Sequence, residues 1–252
     1  MKYIKKLLRK LLIFLHIDLS KNLQYDRLTR VILRMIISRN SQSNAIDVGA
    51  HQGEILDLML HYAPEAHHFA FEPLPPLYAE LEKKYAPKVT VFPYALAEKE
   101  GQSTFCMVKN ALPYSGLKRR DYEVKNPDIE EITVQTRRLD QVIPIETPIR
   151  LIKIDVEGGE FDVLRGAETI LAKWKPVLIF ECGKGASNYY GTNPEDFFDF
   201  LTLQWGYCIY TLKEFCRKTD DKRGLTREAF AQHFCKGTEY YFVAVVFCDF
   251  SA

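Results

Sequence analysis

Two acidic residues in the first third of the chain lie where predicted strands end. Asp47 begins the run DVGAHQG, residues 47–53, and Glu72 follows 19 residues after Gly53. An acid beside a glycine turn attracts the ammonium group of an amino-acid-like ligand. A carboxylate at the end of the next strand can accept hydrogen bonds from both hydroxyls of a ribose. The pair therefore predicts a ligand with an amino-acid end and a nucleoside end.

The spacing of the turn argues against two other nucleotide sites. A phosphate-binding P-loop needs a Gly-Lys-Ser/Thr ending, which the run lacks. The dinucleotide fingerprint needs glycines where this chain has His51 and Glu54. A pyrophosphate would also be repelled by Asp47 and Glu54. S-adenosylmethionine, which has no phosphate between its two ends, matches the pattern, and we expect it as the cofactor.

A second acidic group follows two later strands. Asp155 ends the apolar run IRLIKID, Glu157 and Glu160 come directly after it, and Glu181 ends the run PVLIFEC. Adjacent parallel strands lie about 4.8 Å apart, so Asp155 and Glu181 are expected close together. Like charges so placed raise one pKa, which suits a general base. We expect Asp155, Glu181 and Glu157 as catalytic residues. The alternative for Glu157 and Glu160 is a structural role at the start of the next helix.

Other acids of the chain have simpler interpretations. Asp140, in RRLDQVI, is expected to cap a helix rather than to act in catalysis. Lys153 shares a strand face with Asp155 and can pair with an acid there. The acids form no recognisable metal-binding motif, so we predict no metal.

The surrounding pattern is one of alternating strands and helices. From residue 44 onward, apolar runs expected as strands are NAIDVG, HHFAFEP, VTVFPYAL, IRLIKID, PVLIFEC, GYCIYTL and YYFVAVVF. We predict an α/β, doubly wound, mostly parallel sheet, with an antiparallel C-terminal edge strand. Residues 98–148 are predicted to form an inserted hairpin, whose polar tip either covers a site or is a solvated decoration.

The N-terminus differs from the rest of the chain. Residues 1–43 are predicted to be a helical extension and residues 44–252 the main domain. Residues 1–21 hold six basic groups and one acid, and residues 1–17 have leucines at helical spacing. This helix packs on the domain or, alternatively, lies on an anionic membrane surface. No run reaches the ~18 apolar residues of a membrane span.

Composition excludes some partners. The net charge of +1 gives no argument for nucleic acid. The six cysteines form no CxxC pair and are expected as thiols in a reducing compartment. We expect a cytoplasmic protein, with peripheral contact at the inner face of the membrane as the alternative. Its oligomeric state stays open.

The chain resembles the FkbM family of methyltransferases. The matching segments are AIDVGAHQGE, FAFEPLPPLYAEL, ALAEKEGQSTF, RRLDQVI, LIKIDVEGGEFDVLRGAE and PVLIFEC, in family order between residues 45 and 183. The resemblance implies a class I methyltransferase (Rossmann-like) fold and methyl transfer from S-adenosylmethionine, usually to an oxygen. It implies cofactor contacts for Asp47, Gly49, Gly53 and Glu72, to which we add Ala50, His51 and Asp155. The chain departs from the general pattern at His51, where a glycine is usual, and in lacking a His two residues after Glu181.

Together these observations predict an O-methyltransferase that acts on a hydroxyl of a glycan, a lipid-linked saccharide or a secondary metabolite. The alternative is a non-catalytic, methyltransferase-like binding module that uses its N-terminal helix for assembly. A nucleotide-dependent oxidoreductase is disfavoured by the glycine spacing. Calorimetry with S-adenosylmethionine separates the enzyme from the assembly module.

Overall fold

The computed structural model describes residues 20–217 and 223–247. The strands in these ranges are β1 Ala45–Val48, β2 His68–Phe71, β3 Val89–Phe92, β4 Tyr94–Leu96, β5 Gly101–Val108, β6 Ile129–Arg137, β7 Leu151–Ile154, β8 Val177–Glu181, β9 Cys208–Thr211 and β10 Tyr241–Val245. The helices are α1 Lys21–Ile37, α2 Glu54–Tyr62, α3 Pro75–Tyr85, α4 Leu139–Val142, α5 Glu160–Arg165, α6 Glu168–Trp174, α7 Pro194–Asp199, α8 Leu212–Cys216 and α9 Arg227–Lys236. The segment Phe200–Gln204 continues α7 as a π-helix.

The main sheet has seven strands in the order β3-β2-β1-β7-β8-β10-β9. The first five are parallel, whereas β10 is antiparallel to both β8 and β9. The predicted doubly wound α/β fold is confirmed, with one correction to its edge. The antiparallel strand β10 lies inside the sheet, and β9 is the edge strand. Four of the five residues of β10 are buried, as expected of an interior strand covered on both faces.

The predicted third strand, VTVFPYAL, divides at Pro93. Proline has no backbone N–H to donate to a sheet, and the chain leaves the main sheet there. The residues before it form β3, whereas those after it form β4 in a second sheet of order β4-β6-β5. Strands β5 and β6 are the predicted inserted hairpin, paired from Gly101–Thr136 to Val108–Ile129.

The helical segment that follows β7 is also interrupted. It divides into α5 and α6 around Gly166, where a Cβ atom would lie 2.4 Å from the carbonyl oxygen of Ala97. The backbone just after β4 therefore lies against the junction of the two short helices. They cover one face of the sheet together with α7 and α9.

The opposite face is covered by α1, α2 and α3. Helix α1 buries Leu28, Ile32, Leu33, Ile36 and Ile37 in the same cluster as the sheet. The amphipathic helix predicted over residues 1–17 lies outside the described residues. Among those that are described, no helix is long and apolar enough to cross a bilayer.

Candidate active site

Strand register gathers the polar side chains on the face of the sheet that α1 covers. Asp47 lies opposite Lys153 across β1 and β7, and Glu181 lies opposite Tyr241 across β8 and β10. Asp155 follows Lys153 by two residues and so shares its face. The carboxyl ends of β1, β7 and β8 meet at one edge, where ligands bind in open α/β sheets.

Asp155 is the best-connected acid at this edge. Its Oδ2 atom accepts a hydrogen bond from Lys153 Nζ at 2.8 Å and another from Tyr241 Oη at 2.7 Å. Burial by itself would raise the pKa of Asp155. The charge and hydrogen bond of Lys153, with hydrogen bonds from Tyr241 and Glu181, hold this pKa below its ordinary value. Asp155 is therefore a carboxylate at neutral pH.

The two other predicted catalytic acids adjoin it. Single carboxylate oxygens of Asp155, Glu157 and Glu181 all lie within 4.8 Å of one another. Burial and then the charges of Asp155 and Glu157 raise the pKa of Glu181 well above its usual range. Burial and the charge of Asp155 raise the pKa of Glu157 to about 8, although Arg120 opposes the shift. The edge therefore carries one ionised acid beside two that hold protons readily.

Two neighbouring acids have structural partners. Glu160 is buried, and its Oε1 atom accepts hydrogen bonds from the amides of Val156 at 2.9 Å and Gly158 at 3.2 Å. It therefore stabilises the turn before α5. Asp140 caps a helix, as predicted, but the helix is α6. Its carboxylate accepts from the amides of Thr169 and Ile170 at 2.9 and 3.0 Å.

The carboxylate of Asp47 is buried, and no described group donates a hydrogen bond to it. The residue is 1% exposed, and neither of its carboxylate oxygens has a hydrogen-bond partner among the described residues. Burial raises its pKa to about 7, against the opposing charge of Lys153. An orphaned buried carboxylate is costly unless a donor reaches it, and the ammonium of S-adenosylmethionine supplies such a donor. The residue fits the amino-acid end of that cofactor.

Glu72 is held at the end of β2. Its Oε2 atom accepts from the amide of His51 at 2.8 Å and its Oε1 atom from the amide of Leu74 at 3.0 Å. Burial raises its pKa to about 7, and these two amides oppose the shift. Each carboxylate oxygen retains a further lone pair, so the fixed carboxylate can still accept from ribose hydroxyls.

The glycine turn is tied to the protein through its backbone. The amides of Gly49 and Ala50 both donate to the carbonyl of Phe71, at 3.0 and 3.1 Å. Gly49 has a φ of +80°, and a Cβ atom there would lie 2.0 Å from the carbonyl oxygen of Asp155. Gly53 has a φ of +79° and packs on the ring of Tyr85 in the same way. Any cofactor contact by Gly49 and Ala50 must use atoms other than these amide hydrogens.

His51 occupies the middle of this turn in the left-handed region. Its φ is +48°, a conformation that favours glycine, and its amide donates to Glu72. The hydrogen bond explains how a residue other than glycine is kept there. It also links the turn after β1 to the end of β2.

The tip of the insertion reaches the same edge through Arg120. Its guanidinium forms an ion pair with Glu157, and its Nη1 atom donates to the carbonyl of Gly185 at 3.3 Å. The rings of Tyr114 and Tyr122 lie 5.5 and 5.6 Å from the guanidinium carbon. The tip thus contacts the loops after β7 and β8, in the position that a cover of the site requires.

Sequence reasoning missed Arg120 and Tyr241. Arg120 lies in a polar segment without periodicity, and Tyr241 lies in an apolar run. Arg120 pairs with Glu157, which is 37 residues away in the chain. Tyr241 donates to Asp155, which is 86 residues away. Only the tertiary fold brings these side chains to the acids.

Comparison with known proteins identifies the chain. The model of the Methyltransferase FkbM domain matches residues 47–209. The AMB antimetabolite synthetase AmbE of Pseudomonas aeruginosa is 32% identical over 172 residues, which is 53% of this chain; the chain spans 8% of that synthetase's length. A methyltransferase FkbM structure from Methylobacillus flagellatus KT aligns over 81% of this chain and 44% of its own, with 16% identity and a TM-score of 0.49. The O-methyltransferase TomG of Streptomyces achromogenes, solved with S-adenosylmethionine, aligns over 91% of this chain and 82% of its own, with 11% identity and a TM-score of 0.47. Because the family model matches residues 47–209, the chain belongs to the FkbM methyltransferases, which take their methyl group from S-adenosylmethionine.

Proposed function

We propose that the protein transfers the methyl group to a hydroxyl oxygen of a glycan, a lipid-linked saccharide or a secondary metabolite. The observation that carries the proposal is the state of Asp155. Asp155 is an ionised carboxylate at the edge of the sheet where the parallel strands end. Lys153 and Tyr241 both donate to the same one of its two oxygens. A carboxylate there can accept the proton that a hydroxyl loses when its oxygen is methylated.

Residues of the two strand ends are suited to hold the cofactor. Asp47 would accept from its ammonium group and Glu72 from its ribose hydroxyls, and the turn of residues 49–53 lies between them. The cofactor supplies an already activated methyl group on a sulfonium, so the protein mainly contributes orientation and exclusion of water. The buried carboxylate of Asp47 is suited to this because, within the described residues, no side chain or amide has to be displaced from it.

The acids around Asp155 tune its environment. Glu181 forms a hydrogen bond with Asp155 and retains its own proton to a higher pH. A neutral Glu181 can donate to the acceptor or to Asp155 without adding a charge to the crevice. Lys153 pairs with Asp155 and Arg120 with Glu157, and the proposed mechanism uses no metal.

The class of acceptor is supported by two considerations. A hydroxyl is a poor nucleophile when neutral, and the carboxylate gives it the base that an amine acceptor would not need. The similarity to an antimetabolite synthetase favours keeping secondary metabolites in the class. The alternative, a binding module without turnover, predicts an edge that binds the cofactor and transfers nothing.

Two measurements test the proposal. Calorimetry with S-adenosylmethionine should show binding that Glu72→Ala weakens. Incubation with methyl-labelled S-adenosylmethionine and extract fractions should then give a labelled product whose methyl is on oxygen, and Asp155→Asn should abolish most of the label. Cofactor binding with no labelled product from any fraction would favour the binding module. A product labelled on nitrogen or carbon would refute the oxygen assignment.

A further inference from the structure

Tyr241 lies at the start of β10, beside the last residue of β8. It is paired in register with Glu181, and its hydroxyl donates to Asp155 Oδ2 at 2.7 Å. Lys153 Nζ reaches the same oxygen at 2.8 Å. Two donors on one oxygen restrict rotation of the carboxylate and leave Oδ1 free of both of them, where an incoming hydroxyl can donate.

The ring of Tyr241 packs against another aromatic ring. The ring of Tyr25, on α1, lies 5.1 Å from it at an interplanar angle of 51°. Tyr25 is fixed in turn because its hydroxyl donates to Glu239 at 2.9 Å and accepts from the amide of Tyr240 at 3.2 Å. The hydroxyl of Tyr241 is thereby directed at Asp155 by packing, and α1 contributes to the site without touching the acids.

We infer that Tyr241 is a positioning residue for methyl transfer, whose hydroxyl orients the carboxylate of Asp155 toward the acceptor. The inference rests on the proposed function, because it gives Tyr241 its role through Asp155. Lys153 shares the task, but its ammonium mainly supplies charge, whereas the phenol supplies direction without charge. Loss of the hydroxyl should therefore affect turnover more than cofactor affinity.

The test compares Tyr241→Phe with Tyr240→Phe, a matched change in the adjacent residue. With the acceptor found by methyl labelling, Y241F should lower kcat by about 10- to 100-fold, the range of one hydrogen bond to a charged group. KM for the acceptor and Kd for S-adenosylmethionine should stay within about twofold. Y240F should leave kcat within about twofold of the parent. A kcat for Y241F that equals that of Y240F would overturn the inference.

A second readout needs no acceptor. Labelling aspartate with ¹³C at the side-chain carboxyl allows Asp155 to be titrated by NMR, with Asp155→Asn identifying its signal. Y241F should shift the Asp155 titration to higher pH, because the carboxylate loses a donor, and Y240F should leave it in place. The charged and titratable groups around Asp155 in both variants are Asp47, Arg120, Lys153, Glu157, Glu160 and Glu181. An unchanged titration in Y241F would refute the hydrogen bond as the orienting contact.

The two readouts separate the inference from the function on which it rests. If the parent protein methylates nothing, the proposed function fails, and the titration still reports whether Tyr241 holds Asp155. If Y241F does not fold, 3-fluorotyrosine at position 241 retains the ring and makes the hydroxyl a stronger donor. The Asp155 titration should then move to lower pH, and a titration that does not move counts against the inference.

Discussion

The affinity for S-adenosylmethionine should rise with pH between 6 and 7. Burial raises the pKa of Asp47 and of Glu72 to about 7, so both acids are mainly protonated at pH 6. The proposed cofactor contacts need the ionised forms, which attract the ammonium and accept from the ribose. Binding should therefore release protons, and raising the pH removes the work of ionising the two groups.

The size of the effect follows from the two pKa values. A group with a pKa of about 7 is roughly 9% ionised at pH 6 and 50% ionised at pH 7, a gain of about fivefold. If both acids must ionise, the dissociation constant should fall about 30-fold over this interval, equivalent to about 2 kcal/mol. Staying at or below pH 7 keeps the amino group of the cofactor charged, since α-amino groups titrate near 7.7–8.0.

Calorimetry at pH 6, 6.5 and 7, in buffers of different ionisation enthalpy, measures both the affinity and the protons released. Asp47→Asn and Glu72→Gln should each be less sensitive to pH, leaving about a fivefold change. A dissociation constant that is flat from pH 6 to 7 in the parent protein, with no proton release, would refute the assignment of these acids to the cofactor.

Three further outcomes follow from the site. Asp155→Asn should lower turnover by about 10²–10⁴-fold, more than it lowers cofactor affinity, measured by single-turnover methyl transfer; equal rates would make the acid structural. The pKa of Asp47 is raised in the folded protein, so protonation of Asp47 favours folding at pH 5. This contribution to stability is lost as the pH rises through 7. In denaturant unfolding, the free energy of unfolding of the parent should fall by roughly 2–3 kcal/mol relative to that of Asp47→Asn between pH 5 and 8. Turnover should persist in a chelator, because Lys153 and Arg120 already pair with the acids; a loss restored by Mg²⁺ would contradict this.

The acids at the strand ends could be predicted because they depend on local patterns. Parallel strands bring their carboxyl ends to one edge, so the ends of apolar runs were enough to place Asp47, Glu72, Asp155 and Glu181 together. The sequence also contains the breakers Pro93 and Gly166, but VTVFPYAL was expected as one uninterrupted strand. What the pattern did not indicate was that β4 would leave the main sheet, because that depends on which strand it pairs with.

The partners of these acids could not be predicted for a related reason. The position of β10 between β8 and β9 determines that Tyr241 faces Glu181 and Asp155, and nothing local to YYFVAVVF specifies its neighbours. Arg120 likewise gains its role from the folding of the insertion, residues 98–148, back onto the loop after β7. Side chains with distant partners need the register of the whole sheet before their function can be inferred.

The contact between Gly49 and the carbonyl of Asp155 has a consequence for dissecting the enzyme by mutation. A larger residue at position 49 would press on the backbone of the very residue proposed as the base. Substitution of Gly49 is therefore not a clean way to disable cofactor binding, because it displaces the acid at the same time. Paired with Asp155→Asn, it should give strongly non-additive losses, whereas Glu72→Ala, which acts from β2, should combine with Asp155→Asn almost independently.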